Sequence, residues 1–123
     1  MTEPQWKHGK ICYLILASRD PQTSAKFYSE VFGWTTRNHD NGDLAFDDTT
    51  GAVSGVWNTA ITPRTDGYEI DIWVDDVTTT SASIVSAGGT LIGDIQHFSE
   101  HEQYRQFSDI DGNVLGIYHH DES

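Results

Sequence analysis

The apolar positions of this chain fall into alternating strand-like and helix-like stretches. Ile11–Ala17 (ICYLILA) is an apolar run with the length and branched composition of a well-buried strand. Asp20-Pro21 marks a helix start, because the Asp carboxylate caps free backbone N–H groups and Pro at the first helical position gives up no hydrogen bond. The spacing predicts a helix to about Phe32, with Gly33 as its stop. Three short strands are predicted next, Trp34–Asn38, Leu44–Asp47 and Ala52–Asn58, separated by turn-forming DNGD and DTTG. Ile61–Asp66 reads as a linker.

The same order then restarts. Tyr68–Val74 alternates, with Tyr68, Ile70, Ile72 and Val74 on one face and Glu69, Asp71 and Trp73 on the other. Asp76 caps a second predicted helix that ends at Ala87-Gly88-Gly89. Strands are predicted around Thr90–Ile92, Tyr104–Ser108 and Val114–Tyr118, the last two joined through Asp109–Asn113, whose Asp-Gly step suits a hairpin. Capping Asp and stopping Gly are 13 residues apart in each half, Asp20 to Gly33 (33 − 20) and Asp76 to Gly89 (89 − 76). Matching element order and spacing predict an α+β chain of two βαβββ modules in a pseudo-two-fold arrangement. Module one covers about 10–58, the linker about 59–67 and module two about 68–118.

Length and charge narrow the function. A chain of 123 residues is one compact domain able to bury about two-thirds of its unfolded surface. Seven Lys and Arg against nineteen Asp and Glu give a net charge of −12, which argues against nucleic acid and anionic membranes as partners. Cys12 has no second cysteine to pair with, and its place on the helix-facing side of the first strand predicts an inert core thiol. No apolar run approaches membrane-spanning length, so a soluble, cytoplasmic protein is expected. No GxGxxG, P-loop, GxSxG or HExxH pattern is present.

Four motifs resemble those of a known family. Phe27–Trp34 (FYSEVFGW) is similar to the end of the first helix in the vicinal oxygen chelate superfamily, which includes glyoxalase I, bleomycin-resistance proteins and extradiol dioxygenases. Val74-Asp75-Asp76-Val77 resembles its strand-to-helix junction, Ala87-Gly88-Gly89 its helix end, and Ser108–Asn113 (SDIDGN) its final hairpin, with Ile110 where Pro is usual. The resemblance implies two curved-sheet modules enclosing a cleft. In the metal enzymes of the superfamily, His and Glu side chains at four cleft-facing strand positions hold a divalent ion. Counted from the motifs, those positions are here Tyr13, Gly55, Glu69 and Gly116. Glycine has no donor and neutral Tyr is a poor ligand for Zn²⁺, Ni²⁺ or Fe²⁺, so no metal site and no cofactor are expected. A weak carboxylate-held ion is the alternative.

The alternation that places these slots also names their neighbours. Asp71 and Trp73 accompany Glu69, Ile15 accompanies Tyr13, Val53 and Trp57 flank Gly55, and Val114 and Tyr118 flank Gly116. Such a face reads either as a small-molecule pocket with aromatic walls or as packing between two sheets, and two acids on the same face favour the pocket. Glu69 and Asp71 are the candidate catalytic residues, as a general base, a proton-sharing pair or counter-ions for a cationic ligand. Tyr13, Ile15, Trp57, Trp73 and Tyr118 are candidate ligand contacts. His97 and His101 join them, since i, i+4 spacing aligns both imidazoles if that segment is helical. His8 and His39 read as surface residues, and His119 and His120 as part of a solvated tail. The expected function is therefore metal-free binding of a small aromatic or cationic molecule. The alternatives are a lyase, isomerase or dioxygenase with an atypical metal site, and an interaction domain. A homodimer is expected, with Trp6 and Trp34 as large apolar groups free to enter its interface.

Overall fold

A computed structural model describes residue 8, residues 11–38 and residues 43–121, and divides the chain into two compact units, Met1–Thr62 and Pro63–Ser123. Trp6 and His39 lie outside the described residues. In the first unit the order is β1 (Tyr13–Ala17), α1 (Pro21–Phe32), β2 (Thr35–Asn38), β3 (Leu44–Asp47) and β4 (Ser54–Asn58). In the second it is β5 (Asp71–Trp73), α2 (Val77–Ser86), β6 (Thr90–Ser99), β7 (Glu102–Ser108) and β8 (Val114–His120). The sheets run β1-β4-β3-β2 and β5-β8-β7-β6. In each, the first strand lies parallel to the last and the others pair antiparallel. A parallel pair needs a long crossover, which the helix supplies. Each unit is thus one βαβββ module of an α+β fold.

The helix ends follow the sequence signals. Asp20 accepts from the Gln22 backbone N–H at 3.2 Å and from the Thr23 hydroxyl at 2.7 Å, Pro21 opens α1, and Gly33 closes it in the left-handed conformation at φ +75°. Asp76 accepts from the Thr79 backbone N–H at 2.9 Å and caps α2. In α2 the left-handed residue is Gly88 (φ +103°) and not the expected Gly89, and the helix itself ends at Ser86, two residues earlier than the repeat predicts.

The two cores differ in kind. In the first unit Tyr28 stacks on Trp34 (ring centroids 4.6 Å apart), Trp34 on Phe46 (4.8 Å), and Phe46 contacts Trp57 (4.7 Å). In the second the fully buried side chains include Val77, Ile84, Phe107, Leu115 and Ile117. One core is built from rings, the other mainly from aliphatic side chains.

Several expectations change. Trp34 is only 6% exposed and belongs to the ring stack, which removes it from any intermolecular interface. Trp57 is 2% exposed and is core, not pocket lining. The cause is register: β1 and β4 pair Leu14 with Gly55 and Leu16 with Trp57, so Gly55 and Trp57 share the helix-covered face. Ser54 and Val56 take the other face, because a one-residue slip turns every side chain over. Gly55 is required where it stands, since a Cβ there would run into the Leu14 carbonyl oxygen and the Phe46 ring. Cys12 precedes β1 and is exposed, so it is not a core thiol.

In the second unit β6 has ten residues instead of three and forms a long hairpin with β7, its pairing with β7 shifting register at two points. His97 therefore sits on a strand and His101 in the turn after it, both exposed, and no helix aligns them. His119 and His120 belong to β8 and not to a free tail. β5 is shorter than Tyr68–Val74, but backbone hydrogen bonds extend its pairing with β8 on both sides, from Gly116 N–H to Ile70 O (3.0 Å) and from Val74 N–H to Tyr118 O (2.8 Å). No helix among the described residues is long and apolar enough to cross a membrane.

Candidate functional site

Each sheet has one face covered by its helix and one free of it. In the first unit the helix-free face carries Tyr13 and Ile15, which are 41% and 53% exposed. Beside them an ion pair joins Arg37 to Asp47 (Nε to Oδ2 3.0 Å), and the Ser54 hydroxyl donates to the same carboxylate. The Arg37 hydrogen bond holds the Asp47 carboxyl below its ordinary range, against desolvation.

The helix-free face of the second sheet is different. The register Asp71↔Gly116, Trp73↔Tyr118, Gln106↔Gly116 and Tyr104↔Tyr118 puts Asp71, Trp73, Tyr118, Tyr104 and Gln106 on it together. Glu69, just ahead of β5, reaches over Gly116 and receives two hydrogen bonds from β7. The Tyr104 hydroxyl donates to Oε2 at 2.5 Å and the Gln106 amide to Oε1 at 2.6 Å. Asp71 Oδ1 and Glu69 Oε2 come together in the space above Gly116. Gly116 makes this possible, since a Cβ there would collide with Asp71 Oδ1 and lie 2.7 Å from both Glu69 Oε2 and the Tyr104 ring. The glycine is therefore the floor on which the two acids meet.

Electrostatics separates the two acids. Desolvation is the largest influence on Glu69 and pushes it up, but the hydrogen bonds from Asp71, Tyr104 and Gln106 together outweigh it and hold Glu69 below its ordinary value. For Asp71 desolvation, the hydrogen bond to Glu69 and the like charge all act upward, raising it to about 6. Tyr104 is pushed up by desolvation and by the same carboxylate. Further along the face the Tyr118 hydroxyl donates to Glu102 at 2.5 Å. Trp73 is 51% exposed, meets the His120 ring edge-to-face and lies tilted against His119, whose Nδ1–H donates to the Val74 carbonyl (2.8 Å) and whose Nε2 meets Asp121 (2.7 Å). Hydrogen bonding to Asp121 raises the His119 pKa.

Of the residues singled out from sequence, the structure brings Glu69, Asp71, Trp73 and Tyr118 to one face, places Tyr13 and Ile15 on the first sheet, and withdraws Trp57 into the core. Gln106 and Glu102 were missed, and Tyr104 was a possible ligand contact whose face the sequence did not assign. The signal was present: the Asp109–Asn113 turn fixes Ser108 opposite Val114, and counting back by twos reaches Gln106, Tyr104 and Glu102. Asp109 is buried and accepts from the Asp111 and Asn113 backbone N–H groups and from the Asn113 amide, which locks that turn and hence the register.

A family model for the glyoxalase-like domain matches residues 13–117, so the chain belongs to that family, within the vicinal oxygen chelate superfamily. A glyoxylase-like domain-containing protein of Didymella fabae is 29% identical over 124 residues, covering 89% of this chain and 93% of that protein. Among solved structures, a glyoxalase/bleomycin resistance protein/dioxygenase family enzyme from Burkholderia phytofirmans superposes with a TM-score of 0.74 at 21% identity, covering 89% of this chain and 97% of that one. A glyoxalase/bleomycin resistance protein from Albidiferax ferrireducens gives 0.69 at 18% identity, covering 90% and 98%. At these identities the structures speak for the fold alone.

The superfamily's divalent metal does not fit the residues present. Gly116 offers no donor and the space above it is taken by two carboxyl groups. Both oxygens of Glu69 already accept hydrogen bonds from within the protein. The fourth slot falls on the wrong face at Gly55, and Ser54 or Val56 in its place is a weak ligand or none.

Proposed function

We propose that this protein binds a small organic molecule on the helix-free face of its second sheet without a tightly held metal, and that the ligand carries an aromatic or cationic group. The observation that carries this reading is an acid pair meeting over Gly116 on the face that also holds the half-exposed Trp73 and the rings of Tyr104 and Tyr118. Partial desolvation and the adjoining Glu69 carboxyl raise Asp71, and an acid raised beside a second acid is an arrangement that binding sites favour. Trp73, Tyr104 and Tyr118 offer the area and the ring faces that aromatic or cationic ligands use. Membership of the glyoxalase-like family, whose matched structures include a bleomycin resistance protein, agrees with binding of a small molecule.

The test is a panel of benzylamine, benzyl alcohol and benzoate followed by amide and indole NMR shifts. Benzylamine is expected to move the Trp73 indole and the Gly116 amide, with the alcohol weaker and the benzoate weakest. Trp73→Ala should weaken that binding at least tenfold while leaving the fold intact. No response at Trp73 or Gly116 to any of the three probes sinks the reading. Zn, Ni, Mn or Fe retained stoichiometrically through dialysis of the purified protein overturns its metal-free part.

A further inference from the structure

The bonding of the acid pair is asymmetric, and the asymmetry assigns its proton. Two carboxylates cannot hydrogen-bond one another when both are ionised, because neither has a hydrogen to give. Where the Glu69 and Asp71 carboxyls meet over Gly116, a bond between them needs one proton, on one of the two. Glu69 accepts from the Tyr104 hydroxyl and from the Gln106 amide, and an amide N–H can only donate. A proton on Glu69 would weaken both of these bonds, because a neutral carboxyl is a poorer acceptor than a carboxylate. Asp71 has no such pair of donors on it, and Glu69 is the partner of its carboxyl.

We propose that Glu69 and Asp71 hold a single proton between them, with the proton on Asp71 and the charge on Glu69, and that Tyr104 and Gln106 are the positioning residues that fix this assignment. The inference rests on the reading of this face as the binding site and gives that site a state: Asp71 is its exchangeable acid and Glu69 its standing anion.

The surroundings agree. Among the described residues of β7 and β8, the titratable groups on the same face are Tyr118 and His120 from β8 and Glu102 and Tyr104 from β7. Glu102 is occupied by the Tyr118 hydroxyl. Arg105, on β7, faces the other way and bonds the Gly93 carbonyl (3.0 Å) and the Ser81 hydroxyl (3.5 Å), so it supplies no counter-charge. Asp71 is raised and Glu69 lowered, the order that the bonding asymmetry requires. With Asp71 titrating at about 6, the pair passes from one negative charge to two just below neutral pH.

Carboxyl-detected ¹³C NMR titration of the ligand-free chain tests this, with ¹H–¹⁵N spectra confirming that each variant is folded. In the unmodified protein one member should titrate near 6, assigned to Asp71 by its loss in Asp71→Asn, and Glu69 should titrate below an ordinary glutamate. Tyr104→Phe and Gln106→Leu should each raise the Glu69 midpoint by about one pH unit, the loss of one charge-assisted hydrogen bond. If one variant fails to fold, the other decides. Two ordinary midpoints in the unmodified protein overturn the shared proton, and an unmoved Glu69 in the folded variants overturns the role of Tyr104 and Gln106. Because no ligand is present, failure here leaves the binding test untouched, and the reverse also holds.

Discussion

Asp71→Asn should make the protein more stable at pH 7.5. The substitution keeps the size of the side chain and a donor toward Glu69, and removes only the second negative charge. The sign follows from linkage. An acid raised on folding holds its proton in the folded state over a range where the unfolded chain has lost it. Folding therefore carries a penalty that is complete above the folded value of about 6 and vanishes below the unfolded value of 3.8. About 2 pH units at 1.36 kcal/mol each set a ceiling near 3 kcal/mol. The carboxyl stands largely in solvent, and screening reduces this to about 1 kcal/mol. Asp71→Asn should thus gain about 1 kcal/mol at pH 7.5, seen as a rise in Tm of about 3–5 °C, and nothing at pH 3.5. Urea unfolding of both proteins at the two pH values reads it directly. A variant no more stable at pH 7.5, or equally stabilised at both, refutes the argument, since only the titration of Asp71 makes the difference pH-dependent.

Three further outcomes follow from the packing. Trp57→Ala should cost about 3 kcal/mol and Trp57→Phe about 1 kcal/mol or less, because the buried indole Nε1–H has no hydrogen-bond partner among the described residues and phenylalanine removes it while keeping a ring; equal costs in denaturant titration contradict this. Gly55→Ala should lose about 2–3 kcal/mol, as the new methyl meets the Leu14 carbonyl and Phe46, and a neutral result would mean that β4 has room to shift. Trp73→Ala, on a half-exposed ring, should cost well under half of what Trp57→Ala costs, and an equal loss would make Trp73 a core residue.

How much of this was legible in the sequence depended on whether local chemistry fixed the register. Both helices were, since Asp20-Pro21, Gly33 and Asp76 act through bonds a few residues away. Leu44–Asp47 was too, bounded by turn residues on both sides. On β5 the alternation of Glu69, Asp71 and Trp73 with Ile70 and Ile72 names the face directly. β4 carried no such alternation: Ser54, Gly55, Val56 and Trp57 are tolerable on either face, and only the ring stack decides that Trp57 goes inward. The length of β6 was hidden because Gly93 and Asp94 read as a break, whereas the strand absorbs them through a shift in pairing. The acid pair was visible as two acids on one face. Its division of labour was not, because that depends on donors from β7, more than thirty residues away in the chain.

The parallel pairing of first strand with last also dictates an order of assembly. The β6–β7 and β7–β8 hairpins close over short turns, whereas β5 meets β8 at a sequence separation of 45, from Asp71 to Gly116. Loop-closure entropy makes the distant pairing the late event, and three residues of strand give it little to hold on with. The hairpins form the template, and β5 docks on it last and leaves it first. The strand that brings Asp71 and Trp73 to the face is then the least protected part of its sheet. Amide hydrogen exchange should find Ile72 and Trp73 opening well before Gln106 and Leu115, so that the acid pair exists only while that final strand is seated.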